Sequence, residues 1–128
     1  MIEEPKIEQY QELIEKALEY AGGTHGYEDI VEGVDRGRYQ FWPGVRSVII
    51  TELLDFPRKK VGHCFLVAGE MAEVMAMRTW VEEWARREGC EVATIGGRPG
   101  WARVLRQSGY TPSSVQLEKR LVEAVNGN

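Results

Sequence analysis

The feature that most constrains the fold is the stretch from Val61 to Gly96, where the hydrophobic period changes twice. "VGHCFLVAG", Val61 to Gly69, is short, apolar and rich in β-formers, and reads as a buried strand. From Met71 the pattern shifts. Met71, Val74, Met75, Arg78, Val81, Trp84 and Ala85 repeat at three and four, which predicts a long helix. Glu70 and Glu73 at its start and Arg86 and Arg87 at its end suit the helix dipole, and Gly89 closes it. "CEVATIG" then reads as a strand. A strand, a helix and a strand in direct succession place the two strands parallel, joined by a right-handed crossover.

The flanks fit around that unit. Ile7, Tyr10, Leu13, Ile14, Ala17 and Leu18 form one apolar stripe, so the spacing predicts a helix ending at "AGG", Ala21 to Gly23. A shorter helix is predicted over about Tyr27 to Asp35, with Gly37 as its stop. "RYQFWPG" reads as a short strand with a turn at Pro43-Gly44. "SVIITELLDF", Ser47 to Phe56, is a strand that "PRKK" connects to Val61–Gly69 as an antiparallel hairpin. "RPGWARVLRQSG" predicts a short helix stopped by Gly109. "SSVQLEKRLV" alternates Val115, Leu117, Lys119 and Leu121 and predicts a last strand. The expected order is α-α-β-β-β-α-β-α-β, a mixed central sheet with helices on both faces, of the α+β class with α/β character. A length of 128 residues with no repeat or linker predicts a single domain over 1–128.

This order resembles the GCN5-related N-acetyltransferase (GNAT) fold, over about Ile7 to Leu121. The most specific piece is "VEEWARREGCEVATIGGRPGWARVLRQSGYTPSSVQLEKRL". It is similar to the GNAT pattern of a long helix ending in A-x-x-x-G-C/A, a strand, a polar bend, a short helix ending in x-G-Y/F and a final strand with x-K-x-L. Ala85 to Cys90, Arg98 to Tyr110 and Glu118 to Leu121 carry these. The combination "FWPG…TELLDFPRKK…LVAGE…EEWARREGC…GRPGW" is also similar to small GNAT-like proteins encoded among phage and prophage structural genes.

The resemblance implies an acyl-CoA site at the junction "AGEMAEVMA", where the family's (Q/R)-x-x-G-x-(G/A) loop binds pyrophosphate through backbone N–H groups at a helix N-terminus. Here Gly69 is the one glycine, and no Arg or Gln precedes it at that spacing. Met71 is bulky, and Glu70 and Glu73 are expected to repel a pyrophosphate and to satisfy the helix N-terminus themselves. The family's tyrosine acid, as in Y-x-x-x-G-F, falls on Leu105, which has no proton to give. Two groups remain as a general base, Glu52 and His63.

Other residues carry weaker signals. His63 and Cys64 are strand neighbours and so point to opposite faces, which excludes a Cys/His nucleophile. His25 in "GGTHGY" reads as a surface loop residue. Trp84 reads as core, with Trp80 on the same helix face. Trp42 and Trp101, beside Pro43 and Pro99, are candidate partner contacts; Arg58, Lys59 and Lys60 read first as a solvated hairpin tip and Arg98 as part of a helix entry, and they too are candidate contacts. "GGRPGW" also has the composition of a small anion-binding nest. Cys64 and Cys90 form no CxxC or His/Cys cluster, so no metal site is expected. They read as free thiols in a reducing compartment, with a disulfide between neighbouring strands left open. A net charge of −4 argues against nucleic-acid and anionic-membrane binding. The acidic amphipathic start is not a signal peptide and no apolar run is long enough to span a bilayer, so the expected location is cytoplasmic when made.

Three functions follow. The leading expectation is a non-catalytic GNAT-fold binding or structural module of a phage or prophage, acting in a virion or its assembly through other phage structural proteins, with no cofactor. The alternative is an acyl-CoA-dependent N-acetyltransferase acting on a small-molecule or protein amine. Leu66, Val67, Ala68, Gly69 and Met71 would then hold acetyl-CoA, and Glu52 or His63 would act as base. The third is a host-directed inhibitor or regulator whose acidic charge meets a basic partner.

Overall fold

The computed structural model describes residues 4–96 and 99–123. The order is a 3-10 turn (Ile7–Tyr10), α1 (Gln11–Leu18), α2 (Tyr27–Asp35), β1 (Tyr39–Pro43), β2 (Val48–Phe56), β3 (Lys59–Ala68), α3 (Met71–Arg87), β4 (Val92–Ile95), α4 (Pro99–Leu105) and a 3-10 turn (Arg106–Ser108). The four strands lie in the order β1-β2-β3-β4. β1, β2 and β3 are antiparallel in succession, and β3 and β4 are parallel, as the strand–helix–strand reading requires. One expected element is absent. The alternating segment from Ser113 to Val122 forms no strand, and every residue from 111 to 123 is exposed. A strand is stable only when its edge is paired, and that segment pairs with no strand among the described residues.

Two apolar clusters sandwich the sheet. On one face Tyr10, Ile14 and Leu18 of the first turn and α1, with Ile30 of α2, pack on Val48, Ile50, Leu66 and Ala68. On the other, Val74 and Val81 of α3, with Trp101 and Leu105 of α4, pack on Ile49 and Cys64. The period-2 alternation of β2 thus feeds Ile49 to one face and Val48 and Ile50 to the other. The Tyr10 hydroxyl donates to Gly44 O at 2.6 Å, tying the start of the chain to the β1–β2 turn. α2 is entered through an Asp29 carboxylate that accepts the Gly26 N–H at 2.8 Å. Among the described residues no helix is long and apolar enough to cross a membrane.

The α3 stripe sits off-centre. Trp84 packs into the core beside Trp42, whereas Trp80 is 72% exposed although it lies one turn away. A narrow contact with the sheet lets only one edge of that helix face reach the core.

Candidate functional site

A transverse polar row crosses the sheet on the α1/α2 side. Register places Tyr39 of β1 opposite Glu52 of β2, Glu52 opposite His63 of β3, and His63 opposite Thr94 of β4. Directly opposed residues share a face and approach to about 5 Å between Cβ atoms, so the two sequence-predicted base residues are brought together. His63 Nδ1 lies 2.7 Å from Thr94 Oγ1, which fixes the ring across the β3–β4 pair. His63 Nε2 has no hydrogen-bond partner among the described residues. Burial pushes the His63 pKa below its ordinary value, and the nearby Glu52 carboxylate opposes that shift only in part. The ring is therefore neutral near pH 7, with one nitrogen open to accept a proton. As strand alternation requires, Cys64 points to the opposite face, where burial pushes its thiol up to about 12.

Beside the row, the Tyr39 hydroxyl lies 3.3 Å from Nε2 of His25, and the His25 and Phe65 rings pack edge to face at 4.9 Å. His25 is thus half-buried against β1 and β3, where sequence placed it in an open surface loop. Closing the ends of a short loop over the sheet brought it there.

The row ends at a fork. β4 pairs with β3 only from Val61 to Cys64, and the last link is Gly96 N–H to Cys64 O at 3.5 Å. β3 continues to Ala68, bonded to β2 on its other side. A bulge accompanies the fork: Thr51 faces Cys64 and Ile50 faces Leu66, leaving Phe65 as the extra residue. The edge of Phe65 to Ala68 that faces away from β2 therefore has no strand partner among the described residues. His63 and Thr94 stand at the base of this slot.

At its far end lies the junction into α3. Gly69 has φ +117°, and a Cβ there would collide with Arg46 O and Ser47, so only glycine serves. No side chain caps the α3 N-terminus. Glu73 still places its charge in the first turn of α3, as expected, but without a capping hydrogen bond. Both carboxylates turn toward the β1–β2 turn instead. Glu73 accepts the N–H groups of Val45 (2.7 Å) and Arg46 (2.8 Å), and Glu70 pairs with the Arg46 guanidinium at 3.2 Å. The Glu70 N–H in turn donates to the fully buried Ser47 hydroxyl at 2.9 Å. A hydrogen bond from Ser47, then the Arg46 and Val45 amides and the Arg46 charge, hold the Glu73 carboxyl below its usual range. These negative charges are spent on internal partners. Met71 remains at the junction and is partly exposed.

The remaining expected site residues are dispersed. Trp101 is buried in α4 and is not an exposed loop anchor. Trp42 is half-buried in β1, with Nε1 donating to Thr51 Oγ1 at 3.0 Å and its ring against Trp84. Both tryptophans are held by the sheet–helix core, which the adjacent prolines did not reveal. Arg58 and Lys59, with Phe56, Pro57 and Val61, line a shallow depression at the β2–β3 tip, and Lys60 lies within β3. Arg98, and with it the middle of "GGRPGW", lies outside the described residues. Leu105 is core, and Tyr110 donates its hydroxyl to Glu82 at 2.8 Å. Cys64 and Cys90 are both free thiols. The described residues hold no cluster of three or more His, Cys, Asp or Glu fit to bind a metal. Thr94, Tyr39, Arg46 and Ser47 were not singled out by sequence. Their roles come from cross-strand register and turn contacts, which no local pattern encodes.

No family model matches this sequence, and no curated protein does. Solved structures do match. A GCN5-related N-acetyltransferase from Ralstonia eutropha superposes with a TM-score of 0.68 at 12% identity, covering 89% of this chain and 92% of that one. Glucosamine-6-phosphate N-acetyltransferase from Arabidopsis thaliana gives 0.64 at 12% identity, covering 95% and 98%. A predicted acetyltransferase from Clostridium acetobutylicum, solved with acetyl-CoA, gives 0.63 at 12% identity, covering 84% and 86%. The expected likeness to phage proteins has no counterpart among these three. Superposed with TM-scores of 0.63 to 0.68 over 84% or more of its length, this chain is built on the GCN5-related N-acetyltransferase fold.

Proposed function

We propose that the protein is an acyl-CoA-dependent N-acyltransferase, with the fork between β3 and β4 as its thioester slot and His63 as its general base. One observation carries the reading. The open β3 edge of Leu66 to Ala68 leads without interruption from a neutral, half-buried histidine to an uncapped helix N-terminus. An acyl-CoA would supply an activated acyl thioester. The backbone of Leu66, Val67 and Ala68 offers it an unpaired edge, and the first turn of α3 beside Gly69 offers N–H groups at the positive end of a helix dipole. The fit of these residues is better than composition implied, because Glu70 and Glu73 are engaged by Arg46, Val45 and Ser47. Met71 is the one bulky residue at that entrance.

His63 does the proton work. Thr94 orients the ring, burial keeps it neutral, and Nε2 accepts a proton from an attacking amine. Glu52, directly opposite, then stabilises the imidazolium. Leu105 supplies no proton. An ordinary thiol pKa of about 8.5 makes an acid less necessary than it would be for an alcohol leaving group.

The test is a thermal-shift titration with acetyl-CoA, followed by thiol-release assays against a panel of amines. Ligand at one hundred times its dissociation constant adds about 2.7 kcal/mol of stability, which shows as a rise in Tm. No shift up to millimolar acetyl-CoA, together with no thiol release, overturns the proposal and returns the non-catalytic binding module as the reading to pursue.

A further inference from the structure

The start of α3 has no cation of its own. From Val61 to Met77 the chain carries no Lys or Arg, while Glu70 and Glu73 bring carboxylates to the junction. Helix N–H groups supply only about half a positive charge, too little for a diphosphate. The fold delivers a guanidinium from elsewhere. Arg46 belongs to the β1–β2 turn, 24 residues before Glu70 in the chain. That turn is fixed against α3. The Tyr10 hydroxyl donates to Gly44 O, Glu73 accepts the Val45 and Arg46 N–H groups, and the Ser47 hydroxyl accepts the Glu70 N–H. Gly44 permits the approach, since a Cβ there would lie 2.8 Å from the Glu73 carboxyl and from Met77 Sδ. The Arg46 side chain takes no part in this anchoring. It is 75% exposed and gives one N–H to Glu70 Oε1 at 3.2 Å, with Glu70 56% exposed. The rest of its guanidinium fork has no hydrogen-bond partner among the described residues.

We infer that Arg46 is the cation that meets the diphosphate of the acyl-CoA, in competition with Glu70, an inference that rests on the acyl-CoA site proposed at the β3–α3 junction. An exposed Arg–carboxylate pair is weak, because solvent screens it and two long side chains must be ordered. A diphosphate offers the same guanidinium more charge and several acceptor oxygens in a geometry that its planar fork matches. Exchange of Glu70 for the diphosphate is therefore favourable. It needs only side-chain rotation, because the Arg46 backbone is already held by Glu73. The basic residue missing from the loop sequence is thus supplied by a neighbouring turn, and Glu70 sets how much binding energy a donor must bring to claim it.

Isothermal titration with coenzyme A tests this without turnover. Arg46→Gln should weaken binding by about 10- to 100-fold, the loss of a charge-assisted hydrogen bond, and should flatten the dependence of affinity on salt. Arg46→Lys should recover part of the loss. The circular dichroism spectrum and Tm of Arg46→Gln should match the wild type, since the turn is anchored through backbone groups and the ion pair is in solvent. Glu70→Gln should bind about two- to fivefold more tightly. With 3′-dephospho-coenzyme A the Arg46→Gln loss should persist; equal affinity of the two proteins for that ligand would assign Arg46 to the 3′-phosphate and overturn the inference. Wild-type affinity in Arg46→Gln, or weaker binding by Glu70→Gln, overturns it too and leaves the acyl-CoA site standing. No binding of coenzyme A by the wild type removes the site and the inference together.

Discussion

The proton-acceptor assignment can be tested through His63. Replacing it with alanine removes the only ring nitrogen in the row that lacks a partner and leaves Thr94 Oγ1 and Glu52 without their shared neighbour. Loss of a positioned general base lowers kcat/KM by about 10²–10⁴-fold, or roughly 3–5 kcal/mol at about 1.4 kcal/mol per tenfold. The more diagnostic measurement is the pH profile of thiol release with acetyl-CoA and a responsive amine. Burial lowers the His63 pKa, so the wild-type rate should hold until pH falls below 6.5 and then drop as the ring protonates. Glu52 is the group that raises this pKa. In Glu52→Gln the acid limb should therefore move to still lower pH, while the plateau falls because the imidazolium loses its counter-charge. Stability follows the same linkage. The folded pKa lies below the unfolded value, so the unfolded state binds more protons between the two. Stability should fall as pH drops through that window, by no more than about 1.4 kcal/mol per pH unit from this one group. His63→Gln should abolish that slope. A His63→Ala enzyme within threefold of wild type, or an acid limb that moves upward in Glu52→Gln, refutes the reasoning.

Gly69→Ala places a Cβ against Arg46 O and Ser47 at a positive φ. Backbone strain alone costs about 1–3 kcal/mol, so the denaturant midpoint should fall clearly, with a similar m-value. Glu73→Gln removes the carboxylate that accepts the Val45 and Arg46 amides, and native-state hydrogen exchange should show those two amides losing protection before any in β2. Cys64, with its thiol pushed up to about 12, should stay silent to a thiol reagent at pH 8 until the protein unfolds. The half-buried Cys90 should react first. Early modification of Cys64 in the folded state would mean that the core around it opens.

The β3–α3–β4 unit was readable because strand and helix periods differ and each is set by local burial. Val61–Gly69, the stripe from Val74 to Ala85 and the stop at Gly89 each announce themselves within a few residues, and the parallel pairing follows from chain handedness. The separation of His63 from Cys64 was readable for the same reason, since alternation is a local property of any strand. The meeting of Glu52 with His63 was not. It depends on the register across the β2–β3 hairpin, which pairs Phe56 with Lys59 and, four pairs further on, Glu52 with His63. The fate of Glu70 and Glu73 was hidden too. Sequence placed their charges at a helix N-terminus, but only the approach of the β1–β2 turn showed them an alternative set of donors.

The final segment marks the boundary between the two kinds of information. Its alternating residues gave it the character of a strand, and that much was determined by the sequence alone. Whether a strand forms was decided by the tertiary structure, in which Val115, Leu117 and Leu121 stay exposed and pair with no edge among the described residues. Side-chain period is fixed by covalent geometry and can be read residue by residue. A strand's hydrogen bonds, like the contacts that brought a histidine and a carboxylate together, require a partner distant in sequence, and only folding supplies one.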